Sequence, residues 1–161
     1  MARTAAAGID AVAKPNTQEV VVTRTFDAPR ERVFRVYTDP ALIPQWWGPE
    51  RMSTTVETMD VRPGGSWRNV QHDPAGNEFA FHGVYHDVVA PERLVATFEF
   101  EGAPGHVSLD IVTFNDAGGK TILTVHSIFE SVDDRDEMLN AGMLDGMSEG
   151  MSRIDRLLDA G

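Results

Sequence analysis

SVDDRDEMLNAGMLDGMSEGMSRIDRLLD, residues 131–159, reads as one long amphipathic helix. Leu139, Met143, Met147, Met151, Ile154 and Leu158 recur in steps of three and four, which puts them on a single apolar stripe about five turns long. Ser131 or Asp133 is the expected cap, and the acidic first turn complements the positive end of the helix dipole. A stripe on one side of a helix must be covered by another element. The residues before it therefore decide what this helix packs on.

Those residues are β-rich. Between 53 and 129, short runs alternate with turn signals: Pro63-Gly64-Gly65, Asp73 to Asn77, Ala90 to Arg93, Gly102 to Gly105, and Asp116 to Gly119. They delimit about six strands in an antiparallel meander. Ala96, Phe98 and Phe100 share one face of their strand, with Thr97, Glu99 and Glu101 opposite. Residues 107–114 are apolar on both faces and give no orientation. Earlier, Glu19–Phe26 reads as a further strand, followed by a helix that Pro29 starts and Asp39-Pro40 ends. A second short helix carries Leu42, Ile43, Trp46 and Trp47 and stops at Gly48-Pro49. The order predicts an α+β fold, with a curled antiparallel sheet of about seven strands around a long C-terminal helix and two short helices after the first strand. A curled sheet and one helix leave space between them, and that space is a natural ligand cavity. Neighbours on a helix point about 100° apart. One of Trp46 and Trp47 is thus expected to anchor the lid to the sheet and the other to overhang the cavity mouth.

The chain has 161 residues, a length suited to one domain at 18–161 preceded by a loose or docked extension at 1–17. Its formal net charge of −11 opposes general binding to nucleic acid or anionic membranes. The absence of cysteine excludes disulfides, thiolate nucleophiles and Cys-ligated zinc. Gly8 and Asp10 interrupt any apolar run near the N-terminus, and no stretch is long enough to span a membrane. A cytoplasmic protein without membrane insertion is expected.

The chemical motifs are sparse. Gly146-Met147-Ser148-Glu149-Gly150 matches the G-x-S-x-G nucleophile elbow, but it lies inside the helical stripe and no histidine follows it. Gly142, Gly146 and Gly150 recur every fourth residue, which predicts a close approach to the helix backbone. His82 and His86 lie in a strand, roughly 13 Å apart, too far to share one metal ion. No common cofactor fingerprint is present, and neither cofactor nor metal is expected.

Several stretches resemble a known family. TRTFDAPRERVFRVYTDPALIPQWWGPE (23–50), MDVRPGGSWR (59–68), FHGVYHDVVAPERLVATFEF (81–100), GGKTILTVHSIF (118–129) and GMSEGMSRIDRLLD (146–159) are similar, in order, to the AHSA1-like SRPBCC domains of the Bet v 1/START-like superfamily, which are related to the activator of Hsp90 ATPase. One departure is Met151, where members often have Trp. The resemblance implies a helix-grip fold and no shared catalytic set.

The expected function is binding of a small apolar or amphipathic ligand in the cavity. The candidate lining residues are Phe34, Trp46, Trp47, Trp67, Phe79, Phe81, Tyr85 and Phe98, with Met143, Met147 and Met151 from the helix. Two alternatives stand beside it. One is a co-chaperone-like or stress-response interaction module with a chaperone partner or a second copy of the chain. The other is a cyclase- or lyase-type enzyme using a polar pair among Glu57, Arg68, Glu78, His82 and Asp110.

Overall fold

The computed structural model describes residues 3–4 and 9–160. Nine strands form one antiparallel sheet: β1 (Arg3–Thr4), β2 (Asp10–Val12), β3 (Glu19–Phe26), β4 (Ser53–Met59), β5 (Ser66–His72), β6 (Glu78–Val89), β7 (Arg93–Phe100), β8 (Val107–Ala117) and β9 (Lys120–Ile128). Their order across the sheet is β1-β2-β3-β9-β8-β7-β6-β5-β4. The meander from β4 to β9 thus stays in chain order, and β3 closes against β9 with Val22 opposite Val125. The helices are α1 (Arg30–Thr38), α2 (Val132–Asn140) and α3 (Met143–Ala160), with a 3-10 turn at Ile43–Gln45. This is the helix-grip arrangement.

Two strands exceed the expected seven. β2 pairs with β3 through Ala11 and Val22, and Ala11 is fully buried. The alternation of Ile9, Ala11 and Ala13 faces these side chains into the core. The two alanines carry little strand signal in sequence.

The long helix expected over 131–159 is two helices. Ser131 caps α2, accepting the Asp134 N–H at 3.0 Å. Ala141 ends it, and Gly142 follows at φ +92°. That left-handed position is where glycine stops a helix. Gly142 therefore lies outside α3, and the three glycines do not share a face. Leu139 belongs to α2, so the continuous stripe also ends there. α3 buries Met151, Ile154 and Leu158 in the same core cluster as Val20, Val22, Leu123 and Val125. Burying a side chain such as Ile154 contributes roughly 1.5–3 kcal/mol. Arg24 of β3 pairs with Asp155 of α3, and Arg32 of α1 donates to the Leu158 carbonyl at 2.7 Å.

The second short helix also differs from expectation. Its 3-10 turn ends at Gln45, and Trp46 has left helical geometry at φ −140°, ψ −23°. The 100° spacing therefore does not set the directions of the two tryptophans. Gly48 follows at φ +82°. Residues 107–114, unoriented by sequence, turn Ser108, Val112 and Phe114 inward. Asp110 shares that face by the period-2 alternation of the strand.

Candidate functional site

A cavity of about 130 Å³ lies between the concave face of β5–β8 and the segment that follows α1. Register explains its floor. Tyr85 of β6 stands opposite Ala96 of β7, Ala96 opposite Asp110 of β8, and Asp110 opposite Ser127 of β9. Strands are spaced about 4.8 Å apart, so Tyr85 and Asp110 flank a gap about 10 Å wide that only the Ala96 methyl occupies.

Trp67 forms one wall, and its seat depends on Gly83 directly across the strand pair. A Cβ at Gly83 would lie 1.9 Å from the Thr97 carbonyl oxygen and 2.5 Å from Trp67 Nε1. Without it, the indole N–H reaches the Thr97 carbonyl at 3.2 Å.

Trp46 and Trp47 supply the roof. Trp46 is buried, and its indole N–H donates to the Val36 carbonyl at 2.9 Å. That carbonyl lies in the last turn of α1, where helix geometry leaves acceptors unpaired. Trp46 is thus the anchor of the segment. Trp47 is half-buried and packs edge-on against Trp67 and Phe81, with centroids 6.2 and 5.2 Å apart. Its carbonyl accepts from the Thr54 hydroxyl and the Gln71 amide at 3.1 and 3.4 Å.

The polar groups of the wall are few. Ser127 Oγ donates to Asp110 Oδ1 at 2.7 Å. Burial pushes the Asp110 carboxyl up to about 6, against the opposing pull of the Ser127 hydrogen bond. Burial pushes the Tyr85 hydroxyl up to about 12. Tyr37 is raised as well, by burial first and by the nearby Asp110 charge second. Asn69 also lines the cavity and is 6% exposed. Among the described residues, the Asn69 amide and the Tyr37 and Tyr85 hydroxyls have no hydrogen-bond partner.

Of the expected lining residues, Trp46, Trp47, Trp67, Tyr85 and Phe98 meet at this cavity. The others lie off its wall. Phe34 is in the core against Phe114, 5.2 Å away. Phe81 packs against Trp47 and Phe98, and Phe79 lies farther along the sheet beside Phe100, with centroids 6.5 Å apart. Met151 fills the aliphatic core, and Met143 and Met147 are half-buried beside it. Among the polar candidates, Asp110 alone reaches the cavity. Arg68, Glu57 and His82 join Glu99 and Glu101 in a network on the opposite face of the sheet. There the fork of Arg68 on Glu101, at 2.8 and 2.9 Å, holds the Glu101 carboxyl down at about 2. Glu78 pairs with His72 at 3.1 Å.

The profile of a family described as Activator of Hsp90 ATPase homolog 1-like protein matches residues 27–159. The chain belongs to that family. Among solved structures, this AHSA1-like chain is similar to a protein from Mycobacterium smegmatis at 27% identity and TM-score 0.85, over 93% of this chain and 96% of that one. It is also similar to a protein from Arthrobacter aurescens at 27% identity and TM-score 0.87, over 94% and 91%. A Rhodobacter sphaeroides protein at 23% identity and TM-score 0.88, over 96% and 99%, shares the fold. A search of curated proteins finds no significant match.

Sequence reasoning did not single out Tyr37, Asn69 and Ala96, which line the cavity, or Gly83, which seats Trp67. Gly83 carried a readable signal, because an isolated glycine inside a strand marks a close backbone approach. Asn69 and Gln71 share the inward face with Trp67, and period-2 alternation alone does not say that a polar residue turns inward.

Proposed function

We propose that the protein binds a small amphipathic molecule in this cavity. The observation that carries the reading is an aromatic wall that also holds Asp110 and three polar groups without a partner among the described residues, the Asn69 amide and the Tyr37 and Tyr85 hydroxyls. Polar groups inside a fold are ordinarily hydrogen-bonded, and a ligand or water in the cavity can supply the bonds that the protein leaves open here. The volume sets the scale. It equals that of roughly four waters, and it is close to the cavity of about 150 Å³ that holds benzene in an engineered lysozyme. A one-ring molecule with a polar substituent fits, and long acyl chains do not.

The test is calorimetric titration with benzyl alcohol. Saturable one-to-one binding is expected, and Ala96→Leu, which fills the floor between Tyr85 and Asp110, should abolish it. Absence of saturable binding to the unsubstituted protein, or binding that persists unchanged in Ala96→Leu, would contradict the reading.

A further inference from the structure

We propose that the cavity selects a small organic cation, an ammonium of up to about eight non-hydrogen atoms, held by Asp110 at one end and by ring faces around its carbon body. The inference rests on the cavity being a ligand site and names the charge of its occupant.

No Lys, Arg or His lines the cavity among the described residues, and the single charged side chain there is Asp110. Its Oδ1 takes the Ser127 hydroxyl, and its Oδ2 has no protein partner among the described residues. A carboxylate with one hydrogen bond in an aromatic enclosure is short of donors. An ammonium supplies both the donors and the opposite charge. Around it stand Tyr37, Trp46, Trp47, Trp67 and Tyr85, whose ring faces carry negative electrostatic potential and attract cations. The Tyr37 hydroxyl, which lies near the Asp110 carboxylate, can accept as well. An anionic ligand would meet the opposite: a like charge, the same ring faces and no cation to pair with.

The titratable groups on the wall are Asp110 from β8, Tyr37 from α1 and Tyr85 from β6. Both phenols stay neutral below pH 9 because burial raises them. The pH response of binding therefore belongs to Asp110.

The experiment is calorimetric titration of the full chain with three probes of one shape: benzylammonium, benzyl alcohol and benzoate. At pH 7.5, benzylammonium should bind at least tenfold more tightly than the alcohol, and benzoate should not bind measurably. Asp110→Asn should bring benzylammonium to within about twofold of the alcohol. In the unsubstituted protein, benzylammonium affinity should rise from pH 5 to pH 8 while that of the alcohol stays flat, an arm that needs no substitution. Equal or tighter binding of the alcohol would overturn the charge selectivity and leave the ligand site standing. Failure of all three probes would overturn both.

Discussion

Asp110 carries a charge that the fold would be more stable without. Its carboxyl titrates near 6 in the folded protein because burial disfavours the ionised form, against about 3.9 for a solvated aspartate. Folded protein therefore holds the proton more tightly than unfolded chain. The penalty is absent below about pH 4, grows between pH 4 and 6, and is fully present above the folded value, on the order of 3 kcal/mol at most. Asp110→Asn should accordingly raise the melting temperature at pH 8, with a gain that shrinks toward zero by pH 4. An equal gain at both pH values, read by thermal denaturation, would show that the charge is not the cause. Sequence reasoning placed Asp110 among five polar candidates without distinguishing it. The strand around it is apolar on both faces, so only the register with Ala96 and Ser127 reveals which side it takes. Trp46 and Trp47 were legible as a pair with divided roles. Which one anchors follows from a single hydrogen bond, Trp46 Nε1–H to the Val36 carbonyl, a tertiary contact with no local signature.

The elements with strong local signals lie where the residues put them. β3 spans Glu19–Phe26 because its β-branched run meets Asp27-Ala28-Pro29, and Pro29 forms the N-cap of α1. The division of the C-terminal helix was hidden because apolar residues on both sides of Gly142 keep helical spacing across the break. A glycine at a left-handed stop and a glycine inside a helix are the same letter. The two remaining glycines separate by their surroundings. A Cβ at Gly146 meets nothing within 4 Å, while a Cβ at Gly150 would stand 3.1 Å from the Trp46 carbonyl oxygen. Gly146→Ala should thus gain helix propensity of up to about 1 kcal/mol, a rise of about 2–4 °C in melting temperature for a chain of this size. Gly150→Ala gains the same propensity but presses on the backbone of the anchoring tryptophan, so its melting temperature should fall clearly below that of Gly146→Ala. Equal rises in the two variants would mean that α3 does not sit against Trp46 as described.

At the scale of the molecule, the concave face of the sheet is divided. β3 and β9 present aliphatic side chains to the core that Ile154 of α3 joins, fully buried, and the far end of β8 presents Phe114 to Phe34 and Tyr37 of α1. β5, β6 and β7 present Trp67, Tyr85 and Phe98, large rings that do not close over the small Ala96. The cavity is the seam between a solid half and an open half. This general plan was legible from the meander followed by the amphipathic segment. The position of the cavity was not, because it is set by the two smallest residues on the face, Gly83 and Ala96, and small residues leave no periodic signal. The methionines of α3 read as cavity lining on stripe spacing alone, but the helix turns them toward the aliphatic half and the surface. No helix among the described residues is long and apolar enough to cross a membrane.

If the space over Ala96 is a ligand site, the Ala96 methyl group is its most direct reporter. Methyl-labelled protein titrated with benzyl alcohol should show the Ala96 resonance shifting along a saturable curve. The methyl of Ala11, buried in β2 on the far side of the sheet, should stay still. An Ala96 resonance that does not move, or that moves linearly together with Ala11, would contradict the account.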